Sequence, residues 1–156
     1  MVYRRSFLMV LGPVALALPN PGVPDFQGKS LDGSNFSKTS LRGKPVLIQF
    51  WATWCGFCRR DQPAVDKVAE RYKGKLAVLA VSVREDRATV KDYLARSPRK
   101  GQIVLTQDTN LTSIFEPRGF PYYVLLDGEG RMVGDQPGAG GLEGLQQLLE
   151  RVGIRD

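Results

Sequence analysis

Residues 46–58 read Val46-Leu47-Ile48-Gln49-Phe50-Trp51-Ala52-Thr53-Trp54-Cys55-Gly56-Phe57-Cys58. The opening run is apolar apart from Gln49 and rich in β-branched and aromatic side chains, the composition of a strand buried on both faces. Downstream, Val65, Val68, Ala69 and Tyr72 fall at i, i+3, i+4 and i+7, one apolar stripe of a helix. A Cys-x-x-Cys therefore stands where a strand hands over to a helix. The first turn of that helix has backbone N–H groups without intrahelical partners and carries the positive end of the helix dipole. A thiol placed there has its anion favoured, and the thiolate is the form that attacks disulfides. The pattern points to thiol–disulfide exchange.

Other readings of the pair are a metal site, a structural disulfide and chance spacing. Zinc and iron–sulfur sites take about four Cys or His ligands. Cys55 and Cys58 are the only cysteines and histidine is absent, so a metal would need a second chain, and neither metal nor organic cofactor is expected. A disulfide between them closes too short a loop to constrain the unfolded chain much.

A length of 156 residues suits one domain that buries about two-thirds of its unfolded surface. The net charge of +6 includes Arg4 and Arg5 in an apparent leader. The remaining basic residues are scattered among acids and not interleaved with aromatics. That describes a solvated surface rather than a nucleic-acid footprint. No run reaches the roughly 18–20 apolar residues of a membrane span.

Residues 1–18 read as an export signal. Met1 to Arg5 is a basic start, Phe7 to Leu18 is apolar, and Ala15-Leu16-Ala17 offers a small-x-small cleavage site. Arg4-Arg5-Ser6-Phe7-Leu8 resembles the twin-arginine consensus, with Tyr3 and Met9 departing from its flanks. No cysteine follows, so no lipoprotein anchor is expected. A buried N-terminal helix or strand is the competing reading. Export would place residues 19–156, read as a single domain, in the periplasm or cell envelope. A dithiol there must be kept reduced by a membrane or periplasmic electron donor.

Turn residues fill 19–45, with Phe26 and Phe36 expected to anchor a short antiparallel hairpin. Leu76–Val83 reads as an interior parallel strand. The polar run Arg84-Glu85-Asp86-Arg87 opens a helix with Val90, Tyr93 and Leu94 on one face, and Ile103-Val104-Leu105 is a shorter strand. A brief helix near Asn110–Phe115 stops before Pro117. Strands at Tyr122–Asp127 and Arg131–Val133 flank the hairpin signal Asp127-Gly128-Glu129-Gly130. Leu142, Leu145, Leu149 and Val152 give a final helix. Strands alternating with helices, closed by a hairpin and a helix, make an α/β sandwich.

Over residues 22–152 the chain resembles the thioredoxin superfamily, and within it the exported thiol–disulfide oxidoreductases of the TlpA/ResA/CcmG type. The resemblance rests on Pro24-Asp25-Phe26, Gly43-Lys44-Pro45-Val46, Phe50 to Cys58, Pro63, Gly119-x-Pro121 and Asp127-Gly128-Glu129-Gly130. It implies a thioredoxin-like three-layer sandwich with a mixed central sheet flanked by helices. An N-terminal β-hairpin precedes the sheet, and a helix is inserted after the second core strand. It further implies that Cys55 is the exposed nucleophile and Cys58 the more buried resolving thiol. Pro121, on the residues alone an ordinary trans proline at a strand's start, is implied to be cis and to pair its loop with the substrate chain.

Two departures matter. Cytoplasmic thioredoxins carry an aspartate six residues before the first Cys; here Gln49 stands there and cannot take a proton. ResA-like members instead have a glutamate after the second strand, and Glu85 aligns with it. Glu85 is expected to help move the proton of Cys58, the alternative being an exposed acid at a helix start. Phe120 and Tyr122 flank the proline where the family often has other residues. Trp54, Gly56, Phe57, Phe120 and Pro121 are the expected substrate-binding residues.

The mechanism expected is attack by the Cys55 thiolate on a substrate disulfide, then release by Cys58. The expected function is reduction of protein or peptide disulfides by a monomer, with cytochrome c maturation a role by analogy. A general disulfide oxidase or isomerase would use the same residues in reverse. A peroxiredoxin-like peroxidase would need Pro and Thr where Ile48 and Ala52 stand. A non-catalytic binding module would show no insulin reduction.

Overall fold

The computed structural model describes residues 22–156; the export signal read over residues 1–18 lies outside them. Seven strands form a mixed sheet. They are β1 (Gln27–Ser30), β2 (Asn35–Ser37), β3 (Val46–Trp51), β4 (Ala77–Ser82), β5 (Gln102–Thr109), β6 (Tyr122–Leu126) and β7 (Met132–Pro137). Their spatial order is β2-β1-β5-β4-β3-β6-β7. The parallel centre is β3, β4 and β5, with Phe50 opposite Val81 and Val81 opposite Val104. β6 runs antiparallel to β3, and β7 to β6. Helices α1 (Gly56–Arg71), α2 (Arg87–Arg96), α3 (Leu111–Phe115) and α4 (Gly141–Leu149) connect or follow these strands, and a short 3₁₀ turn covers Glu150–Val152. The fold is thioredoxin-like.

All six residues of β3 are buried, and their alternation builds the layers. Ile48 and Phe50 face one core with Leu79, Val81, Val124 and Leu111, covered by the N-terminal segment through Phe26 and Phe36. Leu47 faces the other with Val65, Val68, Leu145 and Leu149 of α1 and α4. Trp51 lies at the far end of that second face, with Cys55, Cys58, Ala80, Val90 and Leu105. α1, α2 and α4 therefore share one side. A short helix and the aromatic residues beside the hairpin cover the opposite side.

The structure adjusts three expectations. The hairpin of β1 and β2 does not merely lean on the sheet; β1 pairs antiparallel with β5 and extends it. β5, expected as a short strand over Ile103–Leu105, runs from Gln102 to Thr109, because β1 supplies partners for its polar second half. The last hairpin keeps the expected turn, where Gly130 takes φ 75° and donates to the Asp127 carbonyl at 3.0 Å. Its second strand, however, continues to Pro137. Such a positive φ favours glycine.

Candidate active site

Cys55 ends the loop after β3 and is the N-cap of α1. Its φ and ψ are extended, and its Sγ accepts from the Cys58 N–H at 3.1 Å. The two cysteines are joined as a disulfide with their Cα atoms 5.2 Å apart. Cys58 is wholly buried and Cys55 keeps 5% of its surface exposed. Cys55 is thus the more accessible sulfur, but its opening is narrower than an exposed nucleophile suggests, since the Trp51 cluster covers most of it.

Trp54 and Phe57 are the large apolar side chains left exposed among the described residues, at 68% and 60%. The helix start turns them outward while the sulfurs turn in. The Trp54 ring meets Phe120 edge-on, with centroids 5.9 Å apart. The Phe120–Pro121 peptide bond is cis. This loop lines an apolar cavity of about 460 Å³ with Phe115, Tyr122 and Pro137. Arg60 lies over the Phe57 ring at 4.8 Å, and Arg59 Nη1 donates to the Thr53 carbonyl at 3.2 Å.

Glu85 reaches the motif loop from the end of β4. Its Oε1 accepts from Thr53 N–H and Oγ1, each at 2.8 Å, and its Oε2 accepts from Thr53 N–H and Ser82 Oγ at 3.1 Å. Glu85 therefore holds the backbone two residues before Cys55, and is half-buried. The helix start next to it is capped by Asp86 instead, whose side chain accepts from Thr89 N–H; such a cap is worth about 1 kcal/mol.

Beneath the pair lies a polar network that sequence reasoning missed. Gln49, fully buried, makes long contacts of 3.4 Å to Gln62 and Arg99 and 3.5 Å to the Tyr123 hydroxyl. Tyr123 donates to Asp61 Oδ2 at 2.5 Å, and Asp61 Oδ1 accepts from Gly141 N–H at 2.7 Å. Burial, then the Asp61 carboxylate, pushes the Tyr123 phenol far upward. The Arg99 guanidinium stacks on Trp51 with its carbon 3.5 Å from the ring centroid. Burial lowers its pKa, yet guanidinium stays charged in proteins. Gln49 thus meets amide, phenol and guanidinium groups while carrying no charge of its own, where an aspartate would add a titratable one.

A family model described as Redoxin matches residues 19–149. The chain belongs to the Redoxin family. This redoxin is 34% identical over 114 residues to the thioredoxin-like protein YneN of Bacillus subtilis; the match covers 69% of the chain and 64% of YneN. The thiol-disulfide oxidoreductase ResA of Geobacillus thermodenitrificans is 29% identical over 130 residues, 83% of the chain and 75% of ResA. The crystal structure of a thiol:disulfide interchange protein from Chlorobium tepidum superposes with TM-score 0.74 at 24% identity, over 87% of the chain and 99% of that protein. Fold, family and the bonded Cys55–Cys58 pair are those of a thiol–disulfide oxidoreductase. Where a peroxidase of the same fold would carry Pro and Thr, this redoxin buries Ile48 and Ala52 completely, and neither side chain can donate a hydrogen bond to a peroxide.

Proposed function

We propose that this redoxin reduces disulfides in protein substrates outside the cytoplasm. Residues 1–18 would serve as the export signal, residues 19–156 as a single monomeric thioredoxin-like domain, and a membrane or periplasmic dithiol as electron donor. The observation that carries the chemistry is the Cys pair at the start of α1. Cys55 keeps a slit of exposure between the outward Trp54 and Phe57 rings, next to the Pro121 loop. The basic and then apolar start of the sequence supports export. A haem-attachment Cys-x-x-Cys of an apocytochrome is one substrate the family resemblance suggests. Among the described residues no helix is long and apolar enough to cross a membrane.

In the reducing direction the Cys55 thiolate attacks one sulfur of the substrate disulfide. The substrate bond breaks, its second sulfur leaves as a thiolate, and Cys55 is held in a mixed disulfide. The Cys58 thiolate then attacks the Cys55 sulfur, forming the internal disulfide and releasing the remaining substrate thiol. Two electrons pass from the dithiol to the substrate, and the donor restores them. Glu85 is assigned to accept the proton of Cys58 directly or across one water as the disulfide opens, the Thr53 loop holding its carboxylate two residues before Cys55. Trp54, Gly56, Phe57, Phe120 and Pro121 are assigned to the substrate chain.

Insulin reduction driven by dithiothreitol tests the activity. Cys58→Ser should accumulate mixed disulfides with substrate and Cys55→Ser should not; equal trapping by the two overturns the assignment. A reduction potential near thioredoxin's roughly −270 mV agrees with a reductase, whereas one near about −120 mV makes it an oxidant.

A further inference from the structure

A second cavity, of about 750 Å³, opens beside the Cys pair on the other side of Phe120. Its wall includes Trp54, Arg84, Thr112, Glu116, Arg118 and Phe120. Trp54 directly precedes the nucleophilic cysteine and Phe120 directly precedes the cis proline, so a chain lying across the sulfurs passes this cavity's mouth.

Three unrelated features of the molecule meet in this one wall. Arg84 and Glu116 have φ of 59° and 43°, the two positive values outside glycine among the described residues. Such backbones are costly for residues with a Cβ and tend to gather where a site needs a particular side-chain placement. Arg84 is held in place through its N–H, which donates to Thr106 Oγ1 at 3.2 Å, and Thr106 Oγ1 donates in turn to the Ser82 carbonyl at 2.8 Å. Secondly, Thr112 Oγ1 is buried and has no hydrogen-bond partner among the described residues. A buried hydroxyl in a cavity wall is costly until something supplies its partner.

The third feature is charge. Arg84 and Arg118 are exposed, and the ion pairs among the described residues engage Arg71, Arg87, Lys100 and Arg131 instead. Glu116 offsets one of the two, leaving the wall with a net single positive charge. Arg60 stands over Phe57 and Arg59 bonds the Thr53 carbonyl at the start of α1. A negative group entering this cavity from solvent would therefore meet a net positive wall.

We propose that this cavity is a specificity subsite for a carboxylate-bearing residue, Asp or Glu, that flanks the target cysteine in the substrate chain. Arg84 and Arg118 take the carboxylate, the planar guanidinium fork being suited to it. Trp54 and Phe120 cover the aliphatic stem. The apolar cavity across Phe120 takes the chain on the cis-proline side. The subsite deepens the reductase reading and rests on it.

The test uses the full chain with dithiothreitol as donor. The substrates are short peptides whose single cysteine is disulfide-bonded to a neutral thiol and flanked by Glu, Gln or Lys. At low salt, kcat/KM should fall in the order Glu, Gln, Lys, with roughly tenfold between first and last, and the spread should shrink as salt is raised. Arg84→Glu combined with Arg118→Glu should reverse the order, and Glu116→Gln should widen it. Equal rates for the three peptides, or an order that neither salt nor the double variant changes, overturns the subsite. Reduction of dithiodipyridine, which is neutral and has no flanking residue, by the pre-reduced protein freed of dithiothreitol reports the Cys pair alone. If the wild-type protein reduces neither dithiodipyridine nor insulin, it is the reductase reading that falls. If it reduces both but does not distinguish the peptides, only the subsite falls.

Discussion

Two carboxylates sit close to the redox helix, and they are held in opposite ways. Asp61 lies inside α1, only 3% exposed, with one oxygen on the Tyr123 hydroxyl of β6 and the other on the N–H that begins α4. It joins scaffold to scaffold. Glu85 is half-buried at the mouth of the sheet and binds Thr53 in the loop that carries Cys55. Both acids have their oxygens occupied, so hydrogen-bond satisfaction alone does not tell a rivet from a working group. What tells them apart is whether the partner moves when the disulfide opens. Tyr123 and Gly141 belong to packed elements, whereas Thr53 precedes a cysteine whose bonding changes in every cycle.

The contrast can be broken experimentally. Asp61→Ala leaves the buried Tyr123 hydroxyl without its acceptor and the half-buried Gly141 N–H without its side-chain partner. It should cost about 3 kcal/mol in urea unfolding, with turnover per folded molecule retained; a fall in turnover at full stability would move Asp61 into the working class. Glu85→Gln keeps most of the loop contacts and should cost about 1 kcal/mol. Its main effect should be a changed pH profile for release of the mixed disulfide, measured in single-turnover reactions. An identical profile would make Glu85 a second rivet. The smallest effect sharpens the comparison through its tyrosines. Burial, then hydrogen bonding to Asp135, raises the Tyr122 phenol to about 12, and Tyr123 lies higher still. In an alkaline absorbance titration these two should ionise after the others. Because their folded pKa values exceed the unfolded value of about 10, the stability they contribute is full below that pH. It is lost as pH rises through the Tyr122 value. Tyr123→Phe should remove the last step.

How much of this was visible in the chain depends on the range of each interaction. β3 and the motif are local patterns: an apolar run, a Cys-x-x-Cys and a helical stripe within neighbouring turns. Asp61 was not legible, because its partners lie 62 and 80 residues away, and an acid inside an amphipathic helix reads as solvent-facing. Arg99 stands in Ser97-Pro98-Arg99-Lys100-Gly101, which reads as a helix end; only the fold brings it over Trp51. Thr106 to Thr109 carry no strand signal of their own, and the hairpin strand β1 makes them one. Glu85 was placed by resemblance, though the adjacent Asp86 proved to be the helix cap. Nothing in the spacing of Arg84, Thr112 and Arg118 announced a common cavity.

The two cysteines have almost no contact with solvent: none for Cys58 and a twentieth of the residue's surface for Cys55. A bulky, finished domain cannot press a recessed bond against so small an aperture. What can reach it is a single strand drawn clear of its neighbours. For the reductase proposed above, this aperture would sort clients first by how loosely they are wound.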